Sequence, residues 1–266
     1  MNNAEFWNEL CGSSLALSLG IQEISQQSLQ RFDEAYFSLY PYLKKYYINE
    51  PLTDKKILEV GLGYGTLGQV LAASGGDYYG LDIAVRPVEM MCYRLSNIGY
   101  DWRGKVQVGS ALDAPYKDSA FDYVYSIGCL HHTGNLEGAI SEVHRLLKAR
   151  GKAIIMLYNK NSFRLLIQVP VMRLFGFLSG RNKYEEVGVN IRALYDTDSD
   201  GTAAPHTDFV SPSQARRLFR KFSSLKIDIR NFDSYSFRGK TFLKRENVLD
   251  NIGRVLGLDL YIRATK

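Results

Sequence analysis

The sequence predicts an α/β fold: a doubly wound, mostly parallel seven-stranded sheet with an N-terminal helical cap and a lid insertion. Three observations predict it. Short apolar runs alternate with segments of helical periodicity between residues 56 and 158. The first run, Ile57-Leu58-Glu59-Val60, leads straight into Gly61, Gly63 and Gly65. A second run ends in an acid, Asp82, about twenty residues beyond the glycines.

The elements follow in chain order. Leu29, Phe32, Tyr36, Leu39, Tyr40 and Leu43 recur at helical spacing. They predict a helix over 27–47, with shorter helices and turns over 1–24. The alternation then gives a strand Lys56–Val60, a helix Thr66–Ser74, a strand Asp77–Leu81 and a helix Pro87–Ile98 with proline in its first turn. Strands Lys105–Val108 and Phe121–Ile127, a helix Leu136–Leu147 and a strand Lys152–Leu157 continue it. After Asn159 the rhythm lapses into an apolar, basic segment and a polar stretch, Asp196–Gly201. It resumes with a helix Ser213–Phe222, a strand Leu225–Ile229, a helical stretch 246–256 and a last strand Leu258–Ala264. The expected organisation is one domain over 1–266. It has a helical cap (1–52), a cofactor-binding half (53–159), a lid insertion (160–210) and a C-terminal part of the sheet (211–266). The stretches 160–210 and 232–257 read as insertions on one sheet. Ligands of open parallel sheets sit at the carboxyl ends of the strands, and insertions leaving those ends tend to set specificity.

Composition narrows the class. Hydrophobic residues make up 45% of the chain, enough for a large core. No apolar run reaches the roughly 18 residues that span a bilayer. Met1–Leu10 lacks the basic start of a secretory signal, and Cys11, Cys92 and Cys129 are too scattered for a disulfide framework. A cytoplasmic location is the simplest expectation. Charge is uneven: residues 1–159 hold 14 Lys+Arg against 17 Asp+Glu, whereas 160–266 hold 19 against 11. A basic C-terminal part suits an anionic membrane, an anionic substrate, nucleic acid or simply a solvated surface.

Glycines after a strand let the chain turn sharply and let backbone approach a ligand. The helix that follows points its free N–H groups at that ligand. A carboxylate at the end of the next strand can accept from both hydroxyls of a ribose. Loop and acid together indicate a nucleoside-bearing ligand. A dinucleotide is the rival, because Gly63-Tyr64-Gly65-Thr66-Leu67-Gly68 fits G-x-G-x-x-G. That match starts two residues late, and counted from Gly61 the third glycine position holds Thr66.

Later segments decide the matter. The chain resembles the class I, Rossmann-like S-adenosylmethionine-dependent methyltransferases, in particular the small-molecule group of the ubiquinone and menaquinone methyltransferases. The resemblance lies in Ile57–Gly65, Tyr79-Gly80-Leu81-Asp82, Gly109-Ser110-Ala111, Pro115–Asp118, Phe121–Ser126, Leu130-His131-His132 and Glu142–Lys148 before Gly151. It covers about 55–158. It implies S-adenosylmethionine as cofactor, with Glu59, Gly61 and Gly63 along the methionine part and Gly65 completing the loop. Asp82 would hold the ribose, Ile83 would pack on the adenine, and Ala111 would flank its edge. Ser126 and Ile127 would lie beneath the cofactor beside the reacting methyl. The family usually has Asp where Ser110 stands, and Pro-Gly-Gly where Ala149-Arg150-Gly151 stands. The first departure weakens a bond to the adenine amine, and the second alters only a turn.

His131 and His132 follow the fourth strand on the ligand side, where an imidazole can take a proton from an attacking hydroxyl or amine. One of the pair is expected to be structural. Cys129-Leu-His-His does not read as a metal site, since neighbours on one short turn rarely give three convergent ligands. His206 in the insertion is a second candidate base. Phe6, Trp7, Tyr36 and Tyr40 either fold over the cofactor, as in similar enzymes, or pack on the sheet. Ser162–Leu178, followed by Arg181 and Lys183, reads as a lid or as a peripheral membrane contact over 160–183, with Pro170 and Gly176 interrupting any long helix. The expected function is methyl transfer to a small molecule, with no nucleic-acid partner. The alternatives are an RNA or protein methyltransferase and an NAD(P)-dependent oxidoreductase. Ser126-Ile-Gly-Cys stands where many nucleic-acid amino methyltransferases carry Asn/Asp-Pro-Pro-Tyr.

Overall fold

A computed structural model describes residues 2–9, 14–21, 23–46, 49–178, 191–237 and 239–266. Cys11, Arg181 and Lys183 lie outside the described residues. With strands numbered in chain order, one sheet runs β3 (Val106–Val108), β2 (Asp77–Asp82), β1 (Lys56–Val60), β4 (Phe121–Ile127), β5 (Leu147–Tyr158), β9 (Asp259–Thr265), β6 (Ser224–Arg230). The first five are parallel, and β9 lies antiparallel between β5 and β6. This is the mostly parallel seven-stranded sheet that the alternation predicts. Strand order reverses between β1 and β4, so a crevice opens at the carboxyl ends of those two strands, where the glycines stand.

The central strands are apolar on both faces because both are covered. On one face Leu58, Val60, Val124 and Ile155 pack against Leu136, Ile140 and Val143 of a helix at Leu136–Leu146. On the other, Ile57, Tyr125 and Ile154 pack against Leu67 and Leu71 of α4 (Thr66–Ala73) and Met91 and Leu95 of α5 (Val85–Asn97). Upstream lie α1 (Asn3–Asn8), α2 (Ser14–Ser18) and α3 (Gln26–Leu39).

Several boundaries depart from the periodicity, each for a local reason. The helix predicted over 27–47 stops at Leu39, because Pro41 disfavours α geometry at Tyr40, whose φ is −119° and ψ 59°. A single 3-10 turn, Leu43–Tyr46, follows. Strand β5 starts at Leu147, not Lys152, and its register with β4 shifts between Phe121 and Tyr123. Arg150 there takes a positive φ of 64°, so the Ala149-Arg150-Gly151 turn is a bulge inside the strand. The stretch 246–256 is two short helices, Arg245–Val248 and Gly253–Leu256, and a hairpin of β7 (Tyr235–Phe237) and β8 (Lys240–Leu243) precedes them unannounced.

In the 160–210 stretch, Arg164–Gln168 is a π turn that runs into a helix, Val169–Leu178. Pro170 falls in that helix's first turn, where its missing N–H is tolerated, and the helix continues through Gly176. Leu166, Ile167, Val171, Met172, Leu174 and Phe177 are exposed on this segment. No helix among the described residues is long and apolar enough to cross a membrane.

Candidate active site

A cavity of about 290 Å³ sits at the carboxyl ends of β1, β2, β4 and β5. Glu59, Gly61, Gly63, Gly65, Asp82, Ile83, Ile127 and His132 all line it. Its floor depends on glycine. Gly61 has φ of 84°, and a Cβ there would lie 2.3 Å from Cys129 Cβ, so the β1 and β4 loops approach as closely as they do only without a side chain. Gly65 caps α4 in the left-handed region, leaving the helix start without a side-chain cap. Gly68 serves packing: a Cβ there would meet Glu59 Oε2 and Tyr78 Oη at 2.4 Å, beneath α4.

Asp82 anchors this loop as well as lining the cavity. Its Oδ2 accepts from the Leu62 N–H at 2.7 Å and its Oδ1 from the Ala84 N–H at 2.9 Å. Burial raises its carboxyl above the usual range, and these backbone donors oppose the rise. Beside it, Ile83 is 43% exposed, an apolar step next to a carboxylate. That pairing fits a nucleoside, with ribose on the acid and base on the Ile side. Among the described lining residues Glu59, Asp82 and Asp196 are acidic and none is Lys or Arg, which suits a cofactor bearing a sulfonium and an ammonium group.

Glu59 is buried and accepts from the Tyr78 hydroxyl at 2.6 Å. Burial pushes its carboxyl up to about 8, from an ordinary value of 4.5. A carboxyl raised on folding stabilises the native state fully below its unfolded value, and that contribution is lost as pH rises through the folded one. Against the lowered His131 and His132, which act in the opposite sense below about pH 6.5, the Glu59 contribution to the melting temperature of the ligand-free protein therefore falls between about pH 4.5 and 8 and then levels off. Asp82, Asp196 and Asp259 are shifted in the same direction, Asp259 to about 7. Glu59→Gln should flatten part of the fall. Melts with identical slopes in both proteins would contradict this assignment.

The other wall holds the histidines. His132 is 4% exposed, and its Nδ1 lies 2.8 Å from the His206 carbonyl oxygen. A carbonyl only accepts, so Nδ1 carries the proton and Nε2 of the neutral ring keeps a lone pair. Among the described residues Nε2 has no hydrogen-bond partner; Asp196 Oδ2, at 3.6 Å, is too far to be one. Asp196 in turn accepts from the Tyr158 hydroxyl at 2.9 Å. Burial lowers the His132 pKa, with Asp196 opposing, and raises that of Asp196, with His132 opposing. Trp7 packs on the His132 ring, centroids 4.5 Å apart, and the Asn3 amide donates to the His132 carbonyl.

Six residues singled out in the sequence do not line the cavity: His131, Ser126, Ser110, Ala111, His206 and Phe6. His131 is fully buried between His132 and Tyr158, with ring centroids 4.2 and 4.1 Å away, and burial pushes its imidazole well below the usual value. Ser126 is fully buried, and its hydroxyl donates to the Val60 carbonyl at 2.8 Å, tying β4 to β1. Ser110 Oγ accepts from the Leu112 N–H, and Ala111 packs against the core. The His206 ring sits with Asp208, so this residue serves the wall through its carbonyl. Of the N-terminal aromatics, Trp7, Tyr36 and Tyr40 line the cavity while Phe6 is buried against Trp7. Tyr158, Tyr195, Asp196 and Tyr261 also line it and carried no signal in the sequence, because only the fold brings them together.

Comparison with known proteins agrees with this geometry. Residues 58–155 match the methyltransferase domain family. A demethylmenaquinone methyltransferase of Tropheryma whipplei is 26% identical over 175 residues, covering 62% of this chain and 70% of that protein. A sterol 4-C-methyltransferase of Caenorhabditis elegans is 30% identical over 127 residues, 47% of this chain and 37% of that one. In fold, the chain is similar to an S-adenosylmethionine-dependent methyltransferase of Thermotoga maritima, with a TM-score of 0.53, 22% identity, and coverage of 88% of this chain and 94% of that one. Strand order, glycine loop, acid at the end of β2 and the matched domain agree: residues 58–155 carry a methyltransferase domain, and the chain is similar to the Rossmann-like S-adenosylmethionine-dependent methyltransferases.

Proposed function

We propose that the protein methylates a small-molecule acceptor, with the cofactor on Glu59, Gly61, Gly63, Gly65, Asp82, Ile83 and Ile127 and the acceptor against His132. One observation carries this reading. The cavity that begins at the glycine loop is lined by Trp7, Tyr36 and Tyr40 from the N-terminal segment and by Tyr195 and Asp196 from the 160–210 insertion. A pocket flanked on both sides by such side chains suits a small acceptor better than a polymer. The names of relatives support it: besides quinone and sterol enzymes, a phosphoethanolamine N-methyltransferase of Caenorhabditis elegans is 31% identical over 105 residues.

The bound cofactor supplies an activated methyl group on a sulfonium. The protein's part is alignment and proton removal. Asp82 fixes the loop and the ribose, Ile127 and Met156 bound the reacting region, and the Nε2 lone pair of His132 takes the acceptor's proton. The test is incubation with methyl-labelled S-adenosylmethionine and separated cell fractions. Label should appear in the low-mass fraction; label confined to RNA or protein would overturn the reading.

Because Asp82 also holds the backbone of Leu62 and Ala84, an alanine there would disturb the loop itself. Asp82→Asn keeps one acceptor oxygen and removes the charge. Charge-assisted bonds are worth roughly 1.5–3 kcal/mol each, so calorimetry should show cofactor affinity reduced about tenfold or more. Unchanged affinity would remove the ribose from Asp82.

A further inference from the structure

The far end of the cavity has a definite chemistry. Tyr40, Tyr158, Tyr195 and Tyr261 line it, together with Asp196 and His132. The hydroxyls of Tyr158 and Tyr195 are engaged by Asp196 and Ser162, so these two residues offer a ligand mainly their rings. The two rings lie 4.6 Å apart, and Tyr261 is backed by Tyr46 stacked at 4.7 Å. The guanidinium of Arg164 stacks on Tyr195 at 4.3 Å, but its charge is met by Asp233 at 2.5 Å.

Besides the tyrosine hydroxyls, the polar groups here are two acceptors, His132 Nε2 and the Asp196 carboxylate. His132 is more than nine-tenths buried, its Nε2 lone pair has no donor among the described residues, and the Asp196 carboxylate lies 3.6 Å from it. An ammonium ion has the hydrogens to satisfy both acceptors at once, and tyrosine rings attract it through their negative faces. An alcohol brings a single hydrogen. A phosphate or carboxylate would meet like charge.

We propose that the acceptor is an amine, bound as its ammonium ion by Asp196 and the tyrosine wall; this rests on the methyl-transfer reading above. The ammonium gives one proton to His132 Nε2. The freed nitrogen lone pair forms the N–C bond to the methyl as the C–S bond breaks, its electron pair passing to sulfur. The products are the methylated ammonium ion, S-adenosylhomocysteine and a protonated His132, which returns its proton to solvent.

The test uses the whole chain saturated with S-adenosylhomocysteine and titrated calorimetrically with three near-isosteric probes. They are 3-methylbutan-1-amine as its ammonium ion, neutral 3-methylbutan-1-ol and anionic 3-methylbutanoate. The amine should bind roughly tenfold or more tighter than the alcohol, and the carboxylate weakest. Asp196→Asn and Tyr195→Leu, each confirmed folded by its S-adenosylhomocysteine affinity, should each shrink the preference for the amine. Equal affinities for amine and alcohol, no saturable binding of the amine, or an undiminished preference in both variants would overturn the proposal. Failure to bind S-adenosylhomocysteine would instead overturn the reading on which it rests.

Discussion

Arg94→Ala is expected to cost the fold roughly 3 kcal/mol or more, because it removes one partner of a buried ion pair. Arg94 is 1% exposed, inside α5. Its guanidinium grips Asp33 of α3 with two bonds of 2.8 and 2.9 Å, donates to the Tyr64 carbonyl at 2.6 Å and reaches Gln69 of α4 at 2.9 Å. One side chain thus fastens the glycine loop and α4 to a helix from the N-terminal segment. Thr66 donates to the same carboxylate at 2.6 Å. Asp33 is 26% exposed, so water relieves part of the charge left behind; the lost bonds to Tyr64 and Gln69 are not relieved. Thermal melts should show a fall of about 6–12 °C at this chain length. Cofactor affinity should fall too, since Tyr64 and Tyr36 line the cavity. Asp33→Asn should cost less, and a double-mutant cycle should return a coupling of about 1 kcal/mol or more. A change below about 0.5 kcal/mol in Arg94→Ala would show that the pair holds nothing together.

His132→Ala should lower turnover by about a hundredfold or more, the usual worth of a general base, while cofactor affinity changes little. His131→Ala should behave differently. Its imidazole fills space between His132 and Tyr158, so its loss opens a cavity and costs roughly 2–4 kcal/mol of stability. The pH profile gives a second reading. An unperturbed imidazole charges at about 6.5, but burial lowers that of His132, so the acid limb should lie below pH 6.5. The direction is fixed: activity is retained in the neutral form and lost as acid protonates Nε2. Near-normal turnover in His132→Ala would remove this residue from the proton path.

The cofactor half was legible in sequence because its signals are local. A glycine that must take positive φ, such as Gly61, and an acid one strand away, Asp82, lie within a single β–α–β unit, and both reach the cavity. Alternation along β1 and β4 gave the two buried faces directly. Residues next to a motif do not reach the cavity where alternation turned them inward, as at Ser126, or where a tight turn stacked them, as with His131 behind His132. Helical periodicity outran Pro41 because apolar spacing continued through the 3-10 turn. The acceptor wall was invisible for another reason. Asp196 is 64 residues from His132 in sequence, within a polar stretch that reads as an ordinary loop, and Tyr261 looks like any strand aromatic until β9 inserts beside β5. Long-range convergence of single residues leaves no periodicity to find.

The central claim is that the glycine loop and Asp82 bind an adenosyl cofactor. Calorimetric titration of the purified chain with S-adenosylmethionine, S-adenosylhomocysteine and NAD tests it most directly. The account predicts a dissociation constant in the micromolar range for the adenosyl ligands, about −8 kcal/mol, and no saturable binding of NAD. Binding of NAD with neither adenosyl ligand bound would contradict it.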